Sequence, residues 1–182
     1  MTFAVLRRSA FLFLLPGVWL LAGSCSQPAQ RAGLGQTVVY VVRHGEKDLT
    51  PGLTDPPLTP AGQQRAIALR TKILAQARPT VIFSTATTRT RATVQPLADE
   101  RKLPLQTYDA KQPAALAARI RRDYQGQTAV VVGHSNTILE AVEALGAKRP
   151  VATVPDEQYG YLFRVTLPQD STQAATVETQ MY

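Results

Sequence analysis

The sequence predicts an α/β domain: a mostly parallel sheet covered by helices on both faces, in a three-layer α/β/α arrangement. Residues 38–42 (VVYVV) and 129–132 (AVVV) are apolar at every position instead of alternately. Strands of this kind are buried on both faces, as in parallel sheets that helices cover. Helical patterns alternate with the apolar runs along the chain, which also indicates a layered α/β fold.

The N-terminal residues have the composition of an export signal. Arg7 and Arg8 precede an apolar segment at 10–22, and Pro16-Gly17 interrupts that segment. The segment is shorter than the roughly 20 apolar residues that a membrane span needs. Its end at 21–25 (LAGSC) resembles a bacterial lipoprotein box, in which the cysteine is lipidated. The alternative is an ordinary secretory signal with an incidental cysteine.

These features divide the chain into three parts. We expect residues 1–24 to be a lipoprotein signal peptide, residues 25–36 to be a flexible tether lipidated at Cys25, and residues 37–182 to be the folded domain. The predicted location is the extracytoplasmic side of a bacterial membrane, periplasmic or outer-membrane. Cys25 is the one cysteine of the chain, so no internal disulfide is possible. The sequence does not indicate an oligomeric state.

The positive charge is compatible with three kinds of partner. The net charge of +7 falls to +5 when residues 1–24 are removed, because they contain two arginines and no acids. A nucleic acid, an anionic membrane surface and a small anionic substrate would each suit this charge. The basic residues are dispersed instead of forming a run with interleaved aromatics, which together with the export signal argues against nucleic acid. We expect contact with the membrane through the lipid.

The first half of the folded domain has a strand at 37–42 followed by a helix. Thr59 is suited to be the helix N-cap and Pro60 its first residue, because proline lacks the N–H that is unpaired there anyway. Arg78-Pro79 ends this helix, and a strand at 81–83 and a helix at 86–101 follow, in which Pro96 favours a kink or an early break. The first helix has an apolar stripe that we expect to be buried, formed by Ala66, Ile67, Ile73, Leu74 and Ala77.

The second half continues the alternation. Residues 105–108 predict a strand, and Pro113 opens a helix that ends at Gly126. A strand at 128–132 comes next. The remaining predicted elements are a helix capped by Ser135 that runs to Leu145 and stops at Gly146, and a closing strand pair at 159–167 and 174–182 on one edge of the sheet.

Basic and hydroxyl side chains follow three predicted strands where each one ends. Residues 43–44 (RH) follow the first strand, residues 84–89 (STATTR) the second, and residues 133–134 (GH) the fourth. In a parallel sheet these ends lie at one edge, where ligands bind. We therefore expect Arg43, His44, Arg89 and His134 to converge.

Such a cluster suits an anion better than a metal ion. A metal site needs three or four ligands, whereas the chain has two histidines and one cysteine, and Arg43 would repel a cation. We expect no metal and no cofactor. Arginine matches phosphate bidentately, and the helix start near Ser135 would add N–H donors. Either histidine alone could be structural, but the recurrence at two strand ends favours a site.

Four segments resemble motifs of the histidine phosphatase superfamily, the phosphoglycerate-mutase-like fold. In chain order they are 43–46 (RHGE), 58–62 (LTPAG), 82–93 (IFSTATTRTRAT) and 132–137 (VGHSNT). The resemblance covers roughly residues 37–146, most of the folded part. Arg-His-Gly alone is a weak signal, whereas four motifs in the right order are a strong one.

The resemblance implies a role for each residue of the cluster. His44 would attack phosphorus and form a phosphohistidine. Arg43, Arg89 and His134 would surround the phosphoryl oxygens, and the two arginines would disfavour protonated His44. Gly45 would let the backbone pass close to the phosphate. The residues expected to bind the substrate are Arg43, Gly45, Arg89, His134 and Ser135.

The family takes a proton for the leaving group from an acid after the third strand, which makes Asp109 the candidate here. Glu46, Asp48 and Asp99 remain alternatives. Asp109 could instead cap the helix that begins near Pro113. Without any acid, phosphoramidates such as protein phosphohistidine become better substrates than unactivated alcohol esters.

The resemblance implies a metal-independent phosphatase acting on a phosphomonoester or a phosphohistidine, in a small molecule or a phosphoprotein. The chain lacks the long insertions that cover the site in phosphoglycerate mutases, which favours hydrolysis over retransfer. The alternative is a non-catalytic, phosphate-binding lipoprotein with a degenerate pocket.

Overall fold

The computed structural model describes residues 1–2, 35–170 and 172–182. Apart from residues 1–2, the predicted signal peptide lies outside the described residues, as do Cys25 and nearly all of the tether. The assignments made there stay predictions. None of the helices in the described part of the chain has both the length and the apolarity that a membrane span requires.

The domain is built on a six-stranded sheet with strand order β3-β2-β4-β1-β5-β6. Strands β1 to β4 are parallel to one another, and β5 pairs with β1 in the antiparallel direction. Strands β5 and β6 close one edge of the sheet as predicted, and they are antiparallel to each other. The elements are β1 (Thr37–Arg43), α1 (Pro60–Gln76), β2 (Val81–Ser84), α2 (Thr88–Arg101), β3 (Leu105–Thr107), α3 (Pro113–Asp123), β4 (Thr128–Gly133), α4 (Ile138–Ala144), β5 (Tyr161–Leu167) and β6 (Thr176–Met181).

Two hydrophobic cores, one on each face of the sheet, make the three layers. Because successive strand residues point to opposite faces, Tyr40 and Val42 pack with α1 and α2, whereas Val39 and Val41 pack with α3 and α4. All four side chains are fully buried. The three-layer α/β/α fold class that the sequence predicts is therefore confirmed.

Helices α1 and α2 differ from prediction in detail. The Thr59 hydroxyl accepts a hydrogen bond from the Gly62 N–H at 3.2 Å, as expected of an N-cap. Ile67, predicted to be buried, is 40% exposed, and Leu69 takes the core position instead. Pro96 does not break α2, which continues to Arg101. The buried packing of α2 residues on both sides of Pro96 offsets the one backbone hydrogen bond that proline removes.

Helix α4 begins later than predicted, at Ile138 instead of after Ser135. A turn comes first, because the His134 carbonyl accepts from the Thr137 and Ile138 N–H groups at 2.9 and 3.1 Å. The N-cap residue of α4 is Thr137, and the helix has seven residues. The expectation that Ser135 caps a helix aimed at the anion was therefore wrong. The predicted stop is present, with Gly146 left-handed at φ 87°.

The loop after β1 packs closely against the start of α1. The Thr59 N–H donates to the Glu46 carbonyl at 2.9 Å. A methyl group on Gly62 would overlap this Glu46 carbonyl oxygen, and one on Gly45 would lie 2.9 Å from the Gly62 oxygen. This contact explains why the segments 43–46 and 58–62 both contain glycine, and it fixes the backbone beside His44.

Candidate active site

Three adjacent parallel strands end at the same edge of the sheet. The register pairs Arg43 of β1 with Gly133 of β4, and Ser84 of β2 with Val132 of β4. His44 and His134 follow directly, and their ring centroids lie 5.4 Å apart in an edge-to-face arrangement. A cavity of about 830 Å³ opens at this point, lined among others by Arg43, His44, Arg89, His134 and Ser135.

His44 is held as a neutral imidazole with one free ring nitrogen. Its side chain is almost fully buried, and its Nδ1 lies 2.7 Å from the Gly45 carbonyl oxygen. A carbonyl can only accept, so Nδ1 carries the hydrogen and Nε2 keeps its lone pair. Burial lowers the pKa of His44 to about 4, and although the Gly45 hydrogen bond opposes this shift, the Arg89 and Arg43 charges reinforce it. Burial therefore lowers the pKa of His44 more than the charges of the two arginines do, although the sequence suggested only the arginines.

His134 is also neutral but in the opposite tautomer. Its Nδ1 lies 3.4 Å from Arg89 Nη2, and its Nε2 lies 3.1 Å from the Thr85 hydroxyl. Because a guanidinium only donates, Nδ1 accepts and Nε2 donates to Thr85. Burial is the largest cause that lowers the pKa of His134 to about 4, followed by the charge of Arg89. The Thr90 hydroxyl, 2.9 Å from that of Thr85, continues the network.

Both arginines carry a buried donor that no described residue accepts from. Arg43 Nη1 donates to three carbonyls of the loop before β5, and Arg89 Nη1 lies 3.4 Å from an Asp55 carboxylate oxygen. Within the described chain, the Nε atoms of Arg43 and Arg89 are buried without a hydrogen-bond partner. Buried donors are nearly always paired, so the two free N–H groups point to an anionic ligand.

Gly45 and Ser135, the other residues expected to bind substrate, are placed differently. The Gly45 N–H donates to the Thr93 hydroxyl at 2.9 Å, so it is already paired. Ser135 is half-buried in the cavity wall, within the turn that precedes α4. Gly45 therefore shapes the loop, and Ser135 borders the space for a substrate.

Asp109 does not line the cavity of His44. It is exposed in a neighbouring cavity of about 610 Å³, which shares His134 and Asn136 with the first. Its two carboxylate oxygens accept from the Lys111 N–H at 2.9 Å and the Gln112 side-chain amide at 3.1 Å. Asp109 is thus bonded to its own loop, and Gln112, not Asp109, is the N-cap residue of α3.

The alternative acids are also engaged elsewhere. Glu46 lines the cavity, but its carboxylate pairs with Arg65 at 2.6 Å, and these hydrogen bonds hold its pKa below the usual range. Asp48 is an exposed carboxylate that accepts from Thr50. Asp99 accepts from Gln95 on α2 and lines a separate cavity.

Two residues of the site were missed by sequence reasoning about single side chains. Thr93 is fully buried; its hydroxyl accepts from the Gly45 N–H and donates to the Arg89 carbonyl at 2.7 Å. It thereby joins the segments that carry His44 and Arg89. Tyr159 packs under the Arg43 guanidinium, whose Cζ lies 4.2 Å from the ring centroid. Thr93 lies inside a recognised motif, whereas nothing in the sequence signals Tyr159.

The described residues contain no group of three or more His, Cys, Asp or Glu side chains arranged to hold a metal ion.

Comparison with known proteins gives a match to one family model. Residues 39–111 match the model of the histidine phosphatase superfamily (branch 1). A search of curated protein sequences gives no match to the chain. The resemblance to the superfamily that the four motifs indicate is confirmed.

Solved structures share the fold at low sequence identity. The protein histidine phosphatase SixA bound to tungstate is 22% identical with a TM-score of 0.62, over 79% of this chain and 96% of that one. A mycobacterial glucosyl-3-phosphoglycerate phosphatase is 15% identical with a TM-score of 0.61, over 81% and 98%. A phosphoserine phosphatase from Entamoeba histolytica is 15% identical with a TM-score of 0.59, over 80% and 98%.

The tautomers and pKa values lead to a first prediction. With both pKa values at about 4, the two imidazoles should stay neutral from pH 8 to about pH 5. Proton NMR of the ring resonances against pH measures this, and His44→Ala assigns both signals because the chain has two histidines. An inflection near the ordinary value of about 6.5 in the folded protein would contradict it.

The same pKa shifts determine the direction in which the stability of the fold changes with pH. The unfolded chain binds protons at both imidazoles below about pH 6.5, whereas the folded chain does so only near pH 4. The free energy of unfolding should therefore fall as the pH falls through this window. His44→Ala should reduce the dependence of the free energy of unfolding on pH, measured by urea titrations at several pH values.

Proposed function

We propose that this histidine phosphatase-fold protein hydrolyses a phosphomonoester or a phosphohistidine through a phosphohistidine formed on His44. The observation that carries the proposal is the neutral, buried His44 beside two arginines. The buried Nε–H donors of these arginines have no partner among the described residues. The named phosphatases that share the fold support the same reaction class.

The first step uses the tautomer of His44. The Nε2 lone pair attacks phosphorus, an N–P bond forms, and the bond from phosphorus to the leaving group breaks. The Gly45 carbonyl that accepts from Nδ1 stabilises the positive charge that develops on the ring. Water then attacks the phosphohistidine, which releases inorganic phosphate and returns His44 to its neutral form.

The surrounding cations stabilise the transferring group. Arg43 and Arg89 present fixed positive charge at the cavity, where charge on the phosphoryl oxygens must be held through both steps. His134 is oriented by Thr85 and Arg89 at the same edge. These groups need no rearrangement at the moment of reaction, and no step calls for a metal ion.

The placement of the carboxylates favours leaving groups that depart without a carboxyl proton. In the described structure, Glu46 is paired with Arg65, and Asp109 is bonded to its own loop in the neighbouring cavity. An aryl oxide is a weak base, and an imidazole leaves as a neutral ring when its other nitrogen carries a proton. Both suit such a site better than an alkoxide, which needs general-acid help.

A second candidate function is phosphate binding without turnover. The observation in its favour is that Asp109, the expected proton donor, lines the neighbouring cavity instead of the cavity of His44. The two functions share the arginine donors and differ in whether His44 becomes phosphorylated.

A rapid acid quench with a ³²P-labelled aryl phosphate tests the proposal. We expect protein-bound label that is stable in alkali and labile in acid, and we expect none in His44→Ala. Arg122→Ala is the control. Arg122 is exposed near the end of α3, which leads to the start of β4, whereas His134 follows the other end of that strand. Tight vanadate binding without turnover, or label that persists in His44→Ala, would contradict the proposal.

The role of Asp109 has its own test. We expect Asp109→Asn to change kcat on phenyl phosphate and phosphoimidazole by less than about 3-fold, because neither leaving group requires an acid. Steady-state kinetics measures this. A fall of about 10²-fold on both substrates would instead identify Asp109 as the proton donor.

We also propose that the domain is an exported lipoprotein. The support is the LAGSC segment at 21–25, which follows the apolar signal and contains the one cysteine. Mass spectrometry of the mature chain should show an N-terminus at Cys25 carrying acyl groups. An unmodified Cys25 inside a secreted chain would favour the ordinary secretory signal.

A further inference from the structure

The wall of the cavity formed by residues 155–159, the 155–159 loop, is held in place by Arg43. Arg43 Nη1 donates to the carbonyl oxygens of Pro155 and Asp156 at 2.9 Å each and of Gln158 at 3.2 Å. The Arg43 side chain is 5% exposed. A residue proposed to bind phosphate therefore also sets the position of this loop.

Tyr159 is the side chain that the loop places beside the reacting groups. Its ring lies under the Arg43 guanidinium at 4.2 Å, and its centroid is 6.3 Å from that of His44. Tyr159 is half-buried and lines the cavity. An aromatic ring is thus fixed next to the nucleophile by a stacked cation that is itself anchored to the backbone.

The direction of phosphoryl transfer places the leaving group in the same cavity. In-line displacement puts the departing group on the far side of phosphorus from His44. A leaving group that is itself a ring can then pack against an aromatic wall at the usual centroid separation of roughly 4.5–7 Å. An aliphatic group of the same size gains contact area but no ring–ring geometry.

We infer that Tyr159 is a specificity-determining residue that favours substrates whose phosphorylated group is a planar ring, an aryl phosphate or the phosphoimidazole of a phosphohistidine. This inference rests on the proposed phosphatase function. It agrees with the leaving groups that the carboxylate placement favours, but it stands on a separate observation, the geometry of Tyr159 against Arg43 and His44.

Phosphonates test the inference without turnover, because their P–C bond is not hydrolysed. Phenylphosphonate and cyclohexylphosphonate differ in planarity and little in size. By isothermal titration calorimetry we expect the wild-type chain to bind phenylphosphonate about 3- to 10-fold more tightly, the range expected of one aromatic pair. Tyr159→Leu should reduce this preference to less than about 2-fold, and Tyr159→Phe should keep it.

Methylphosphonate binding and thermal unfolding are measured on the same variants. Equal affinity of all three chains for methylphosphonate is expected, because Arg43 keeps its three backbone acceptors in each. Weakened methylphosphonate binding in Tyr159→Leu would overturn the inference and make Tyr159 a support for Arg43. Loss of the preference in Tyr159→Phe would overturn it in favour of the hydroxyl.

The phosphonate-binding and acid-quench experiments together distinguish failure of the proposed function from failure of the specificity inference. A wild-type chain that binds phenylphosphonate selectively but gives no phosphorylated His44 would retain the specificity inference and lose the phosphatase. A chain that forms phosphohistidine but shows no Tyr159-dependent preference would do the reverse.

Discussion

The parallel pairing of β1 with β4 determines where chemistry is possible in this molecule. Arg43 and Gly133 are opposite one another in the register, and the ladder continues past the end of β1, where the His44 N–H donates to the Gly133 carbonyl at 3.0 Å. The two histidines therefore start from the same level of the sheet. A methyl group on Gly133 would lie 2.8 Å from the Tyr108 hydroxyl, so a larger residue there would have to displace the Tyr108 side chain. A slip of one residue would separate the imidazoles and move each side chain of the strand to the opposite face of the sheet.

Burial at this edge has opposite consequences for the imidazoles and the guanidiniums. It removes the proton from His44 and His134, which leaves the proposed nucleophile, His44, in the neutral form that can attack phosphorus. The arginines cannot lose their protons, so they must find acceptors or anions. Arg43 donates to loop carbonyls and Arg89 pairs with Asp55. The Nε–H of each arginine is nevertheless buried without a partner among the described residues. The same low-polarity environment thus suits both the imidazoles and the guanidiniums to the proposed phosphoryl transfer.

The sequence predicted those parts of the molecule that depend on local pattern. Apolar runs located the strands, Thr59 and Pro60 located the start of α1, and residues that follow strand ends gave the cluster. Prediction failed where tertiary contacts decide. Packing carries α2 through Pro96, and a turn around the His134 carbonyl delays α4 past Ser135. The contact of Tyr159 with Arg43 joins residues that no local pattern relates, and the orientation of the Asp109 carboxylate depends on loop bonds that composition does not encode.

In the proposed function, the way Arg43 holds the 155–159 loop separates binding of the phosphoryl group from choice of substrate. Its three short contacts are all with backbone oxygens, so they do not depend on which side chains occupy those positions. The contact with the Asp156 carboxylate is long, at 3.8 Å, and that side chain is 91% exposed, so it adds little. Substitutions in the loop can therefore alter the cavity wall without releasing Arg43. Tyr159 differs from the other loop positions because its ring also stacks on the Arg43 guanidinium, but the three backbone contacts of Arg43 do not depend on that ring. In the proposed function, side chains of the loop can therefore alter the choice of substrate while the backbone contacts of Arg43 are kept.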